Sequence, residues 1–107
     1  MPFAPPPGVA EALQAAAAAL PKLVLLDLKL AGSSGLELLA QIKSDARTRA
    51  VPVVVMSTSR EPRDIAESYR LGANAYVVKP VDFERFKDAA RRLCDYWLGL
   101  NETPLAN

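Results

Sequence analysis

The chain has 107 residues, half of them hydrophobic and 23% charged, with a formal net charge of +1. That is room for one domain with a modest core, without the unbalanced Lys and Arg that nucleic-acid binding needs. There is no histidine and a single cysteine, Cys94, which excludes Ser-His-Asp and Cys-His catalysis, histidine-ligated metals and an internal disulfide. No apolar run reaches the roughly 20 residues that cross a bilayer. No Lys or Arg precedes Lys22, so the basic start of a secretory signal is missing and the expected location is the cytoplasm.

Residues 1–8, MPFAPPPG, are dominated by proline and read as an extended arm. Residues 9–20 contain five consecutive alanines, Ala15 to Ala19, and predict a short helix that Pro21 stops. Leu23 to Leu26 is an unbroken apolar run ending in Asp27. Pro52 to Met56 and Ala75 to Val78 are two more. Such runs predict strands of a parallel sheet, buried on both faces. The stretches between them read as helices. Leu36, Leu38, Leu39 and Ile42 follow Gly35 at helical spacing. Ile65, Ala66, Tyr69 and Leu71 define a second helix, with Pro62 near its start and Gly72 past its end. Phe83, Phe86, Ala90, Leu93 and Trp97 form the apolar stripe of a third, with Asp88 and Arg92 spaced for an ion pair on its outer side. Alternating strands and helices predict an α/β doubly wound fold.

Such sheets bind ligands at the carboxyl ends of their strands. Asp27 stands at the first such end, Ser57 and Thr58 at the second, Lys79 and Pro80 at the third. A strand-end carboxylate can act as a nucleophile toward a phosphoryl group. A lysine offsets the charge of the phosphoryl oxygens, and a hydroxyl donates a hydrogen bond to one of them after transfer. Each residue alone has a plainer reading. An Asp after a strand turns the chain, a Ser-Thr-Ser run caps a helix, and Lys-Pro makes a solvated turn. The functional reading rests on all three occurring in order, each at a strand end.

On these residues the chain resembles a known family. LVLLDLKLAGSSGLELL resembles the acceptor-aspartate segment of response-regulator receiver domains. PVVVMSTS resembles their fourth strand, and GANAYVVKP their fifth. Asp27 precedes Ser57 by 30 residues and Lys79 by 52, which matches the family. The resemblance covers Lys22 to about Trp97. It implies a flavodoxin-like fold, with Asp27 as phosphoacceptor, Ser57 as switch hydroxyl, Lys79 as the phosphate-pairing lysine and Tyr76 as the rotating aromatic. It also implies a cis Lys79–Pro80 bond and Mg2+ as cofactor, held by Asp27 and the backbone carbonyl of Lys29. The segment VVVMSTSREPRDIAESYRLGANAYVVKPVDFERF, followed by YWLGLNETP, is similar to single-domain regulators that serve phytochrome-like sensor histidine kinases. That narrower resemblance implies such a kinase as partner, and a homodimer to which Tyr96, Trp97 and Leu98 contribute.

The chain departs from the family before Asp27. Receivers begin with a strand ending in two adjacent acidic residues that hold magnesium, whereas Glu11 is the sole acidic residue before Asp27 here. Ala31 and Ser34 also replace the family's usual proline and aspartate. The chain therefore divides into a proline-rich arm (1–8), a partial receiver lacking its first strand and helix (9–100), and a tail (101–107). The expected function is phosphoryl acceptance on Asp27 from a histidine kinase in a two-component phosphorelay, weakened by the missing acidic pair. The alternative is a truncated receiver that is not phosphorylated and serves as an interaction or dimerisation module. An enzyme using Asp27 as its own nucleophile is disfavoured, because Lys29 stands where haloacid-dehalogenase-type phosphatases carry a second aspartate. The strand at residues 23–28 is expected to have an open edge, filled by another chain or by the N-terminal arm.

Overall fold

The structure, a computed structural model, describes residues 20–28 and 35–102. The expected arm and almost all of the alanine-rich helix lie outside the described residues, as do Lys29, Ala31 and Ser34.

Three short strands form one parallel sheet: β1 (Val24–Asp27), β2 (Val53–Ser57) and β3 (Ala75–Val78). Helices α1 (Gly35–Ser44) and α2 (Pro62–Arg70) connect them, and α3 (Phe83–Asp95) follows β3 and ends in a π-helical turn at Tyr96–Leu100. This is the expected α/β architecture, an open flavodoxin-like parallel sheet. Among the described residues β1 is an edge strand, paired only with β2.

The pairing register places Leu26 beside Val55, and Val55 beside Tyr76. Leu26, Val53 and Val55 pack with Leu39 and Ile42 of α1, and with Ala73, into the core. Val54 and Met56 point to the opposite face and are also buried. Burial on both faces thus holds for β2, whereas every residue of β3 is half-buried. Among the described residues β2 alone has neighbours on both edges, and this limits the sequence-based expectation to β2.

Two helices turn differently from their expected stripes. In α2 the buried residue is Ser68, while Tyr69 is 49% exposed. The Ser68 hydroxyl donates to the carbonyl of Asp64 one turn earlier at 3.0 Å, so its burial leaves no unpaired polar group. In α3, Phe83 is 68% exposed rather than part of the core. Asp82 caps that helix, accepting from the Glu84 N–H at 2.8 Å. The expected Asp88–Arg92 pair is present at 3.1 Å.

Candidate functional site

In a parallel sheet the strand ends share one rim. β1 delivers Asp27, β2 delivers Ser57, and the residue after β3 is Lys79. The Lys79 backbone N–H donates to the Ser57 carbonyl at 2.7 Å, so the ladder continues one residue past β3 and fixes the base of the lysine. From there Lys79 Nζ crosses the end of β2 and donates to Asp27 Oδ2 at 2.5 Å. The two side chains retain 21% and 12% of their exposure, a largely desolvated ion pair. Phe86 of α3 lies beneath the ammonium, its ring centroid 5.2 Å from Nζ. Asp27, Lys79, Pro80, Val81, Phe83 and Phe86 line an open hollow of about 270 Å³.

The loop after β2 is held by one residue, Ser59. Its N–H donates to Ser57 Oγ at 3.1 Å, and its carbonyl accepts from the Tyr76 hydroxyl at 2.9 Å. Its own hydroxyl donates to Asp64 Oδ2 at 2.5 Å and accepts from the Glu61 N–H at 3.1 Å. Ser57 and Tyr76 are thereby tied to the same backbone unit, and through it to the first turn of α2. A hydroxyl that accepts from a backbone N–H keeps its own hydrogen for another acceptor. Ser57 therefore retains a donor.

The structure brings Asp27 and Lys79 into contact, and places Ser57 and Tyr76 on the adjoining strands. Lys29 is outside the described residues. Among the described residues no three carboxylate, thiol or imidazole groups converge where they could hold a metal ion. All described peptide bonds are trans, Lys79–Pro80 included, which corrects the expectation of a cis bond. Trans is the lower-energy isomer before proline by about 0.5–1 kcal/mol. Lys79 reaches Asp27 with the bond trans, so the ion pair does not require the rarer form.

Sequence reading missed Ser59, which it treated as part of a capping run, and took Phe86 as core alone. The Ser59 hydroxyl does fasten the start of α2, but its ties to Ser57 and Tyr76 run through its backbone, and backbone partners leave no trace in residue type. Phe86 was visible at helical spacing, but only the approach of α3 to Lys79 gives it a second role.

The sequence profile of the response regulator receiver domain matches residues 6–91 of the chain, beginning inside the proline-rich segment. The chain is 45% identical over 85 residues to the probable methanogenesis regulatory protein FilR2 of Methanothrix harundinacea, covering 79% of this chain and 55% of that protein. It is 35% identical over 86 residues to response regulator Rcp1 of Synechocystis, covering 80% of this chain and 58% of that protein. The crystal structure of the phosphorylated cyanobacterial phytochrome response regulator RcpA superposes with a TM-score of 0.73 at 39% identity, covering 79% of this chain and 61% of that one. The chain thus spans between half and two thirds of the length of these relatives.

Proposed function

Because the chain belongs to the response regulator receiver domain family, we propose that it accepts a phosphoryl group on Asp27 from a histidine kinase in two-component signal transduction. The observation that carries this reading is the Asp27–Lys79 contact at the rim of the sheet. A carboxylate oxygen of Asp27 attacks phosphorus, and the phosphorus–nitrogen bond of the donor's phosphohistidine breaks with its electron pair left on the imidazole. Lys79 moves from the carboxylate to the incoming phosphoryl oxygens and offsets their charge. Ser57 donates its free hydrogen to one of those oxygens, and Tyr76 follows through Ser59. This makes the domain a signalling module, and not an enzyme acting on a separate substrate.

A divalent cation accompanies such transfers in the family, and one solved relative is the Mn2+-bound form of Rcp1. For this chain the proposed ion is Mg2+, with Asp27 and the Lys29 carbonyl as ligands. Among the described residues no acidic cluster completes that set. They do not form a magnesium site by themselves, and no step above passes through the metal. Acceptance in the isolated chain is accordingly slow.

The same observation favours a second reading, an unphosphorylated interaction module. RcpA and Rcp1 support a phytochrome-type kinase as partner. Tyr96 and Trp97 stack edge to face at 5.3 Å beside exposed Leu98 and Leu100, a surface that suits a homodimer. A chain that pairs with β1 is the other partner proposed. Among the described residues no helix is long and apolar enough to cross a membrane, and the cytoplasm, where kinase and regulator meet, is the proposed location. The deciding experiment is intact mass after incubation with acetyl phosphate and magnesium. Gain of one phosphoryl group, lost in Asp27→Asn, supports acceptance; no gain leaves the interaction module.

A further inference from the structure

Lys79 carries its charge on a flexible four-carbon stem, and the rotamer freedom of that stem opposes any single placement. Its backbone N–H is pinned to the Ser57 carbonyl, which fixes where the stem starts and not where the ammonium ends. Among the described residues the ammonium has two partners, from two different elements. One is the Asp27 carboxylate of β1 at 2.5 Å, and the other is the Phe86 ring of α3, its centroid 5.2 Å from Nζ. Asp27 is the group that a phosphoryl transfer would modify, whereas the ring is untouched by the chemistry. The ring is itself held in place. Asp82 caps α3 by accepting from the Glu84 N–H at 2.8 Å, and the Phe86 N–H donates to the Asp82 carbonyl at 2.9 Å. The turn that leads from Lys79 into α3 thus brings the ring back to the lysine from which it began.

We propose that Phe86 is a positioning residue for phosphoryl acceptance: its ring keeps the Lys79 ammonium at the Asp27 rim while the lysine's anionic partner changes from the carboxylate to the phosphoryl oxygens. A cation within about 6 Å of a ring centroid is drawn to the negative face of the π system, more strongly the less water reaches it. The Lys79 side chain retains 21% of its exposure. The molecule holds its own comparison. Lys87 lies over Phe83 at 5.6 Å, but there the lysine side chain is 52% exposed, the ring 68% exposed, and Glu84 stands 3.7 Å from Nζ. That is a surface contact of little weight. A ring also suits the position beside Lys79 better than a second carboxylate. An acid there would hold the ammonium and repel the incoming phosphoryl oxygens, whereas the ring carries no net charge. Its attraction spreads over a face, so Nζ can move toward those oxygens without leaving it. The role rests on the reading of Asp27 as phosphoacceptor, while the lysine–ring contact stands on geometry alone.

The test uses the full chain with Phe86→Leu, which stays apolar and removes the π face, and Phe86→Tyr, which restores the face. Phe86→Met replaces the leucine variant if circular dichroism shows that the latter does not fold. The first readout is the NMR shift of the Lys79 ε-methylene protons, which a ring beneath them moves upfield. The second is a beryllofluoride titration in excess magnesium. Parent and Phe86→Tyr should show the upfield shift and equal affinity. Phe86→Leu should lose the shift and bind beryllofluoride roughly three- to tenfold more weakly. Phe83→Leu should move the Lys87 signals and leave those of Lys79. Absence of the upfield shift in the parent overturns the proposal without any variant. Equal affinity in parent and Phe86→Leu, or failure of Phe86→Tyr to match the parent, sinks the positioning role alone. A parent that takes up no beryllofluoride sinks the phosphoacceptor reading and this role with it, and the ring-induced shift then shows whether the lysine–ring contact itself stands.

Discussion

Lys79 Nζ donates to Asp27 Oδ2 at 2.5 Å, joining residues 52 apart across the end of the strand that separates them. The pair spans the sheet at the rim where its strands end. Replacing Lys79 with alanine leaves a largely buried carboxylate without its ammonium. We expect a loss of about 1–3 kcal/mol in stability, read from urea unfolding. Beryllofluoride binding should fail in the same variant. A variant as stable as the parent, and still saturable, would refute the pairing.

Tyr76→Phe removes one hydroxyl and one hydrogen bond, to the Ser59 carbonyl. The expected cost is about 0.5–1.5 kcal/mol. Hydrogen exchange at the Ser59 and Glu61 amides should accelerate more than exchange in β2, because the loop loses its anchor while the central strand keeps both neighbours. Uniform acceleration across the domain would show that the hydroxyl acts on global stability alone.

Gly72 has φ +107°, and a Cβ there would lie 2.7 Å from Lys43 Cγ and 2.9 Å from Lys43 Cβ. Those atoms are near the backbone and cannot swing aside, since Lys43 Nζ is fixed by the Val51 carbonyl at 2.7 Å and the Arg49 carbonyl at 3.2 Å. Burial also holds the Lys43 ammonium below the usual lysine range. Gly72→Ala should cost about 1–3 kcal/mol. Adding Lys43→Ala should recover the share due to Lys43 Cγ and leave the Lys43 Cβ contact and the backbone strain. Strict additivity of the two changes in denaturation midpoints would contradict the contact.

Arg47 holds the Asp45 carboxyl down at about 2, through a side-chain hydrogen bond first and a backbone hydrogen bond from its own N–H second. A carboxyl lowered in the folded state adds stability above its ordinary value of 3.8, and that contribution is lost as pH falls toward about 2. In Arg47→Gln the Asp45 titration followed by NMR should move up toward 3.8. The stability difference between variant and parent should be present at neutral pH and vanish in strong acid. An unchanged Asp45 titration would show that Arg47 does not set it.

The order of strands and helices was legible from the chain alone, because runs such as Val53 to Met56 and the Leu36–Ile42 spacing carry the periodicity of their elements. So was the placing of Asp27, Ser57 and Lys79 at one rim, since each follows or ends an apolar run and strand ends gather at one rim of a parallel sheet, while Tyr76 lies within its run. What the sequence could not decide is anything that depends on how elements approach one another. Ser68 rather than Tyr69 turns inward in α2. Asn74 pairs with Val53 through both its side chain, at 2.8 Å, and its backbone, at 2.9 Å. Arg60 and Arg85 meet at one hollow although 25 residues separate them. Local periodicity records which face of an element is apolar. The partner each face meets, and the isomer of the Lys79–Pro80 bond, depend on energies of packing and hydrogen bonding that exist only once the chain has closed on itself.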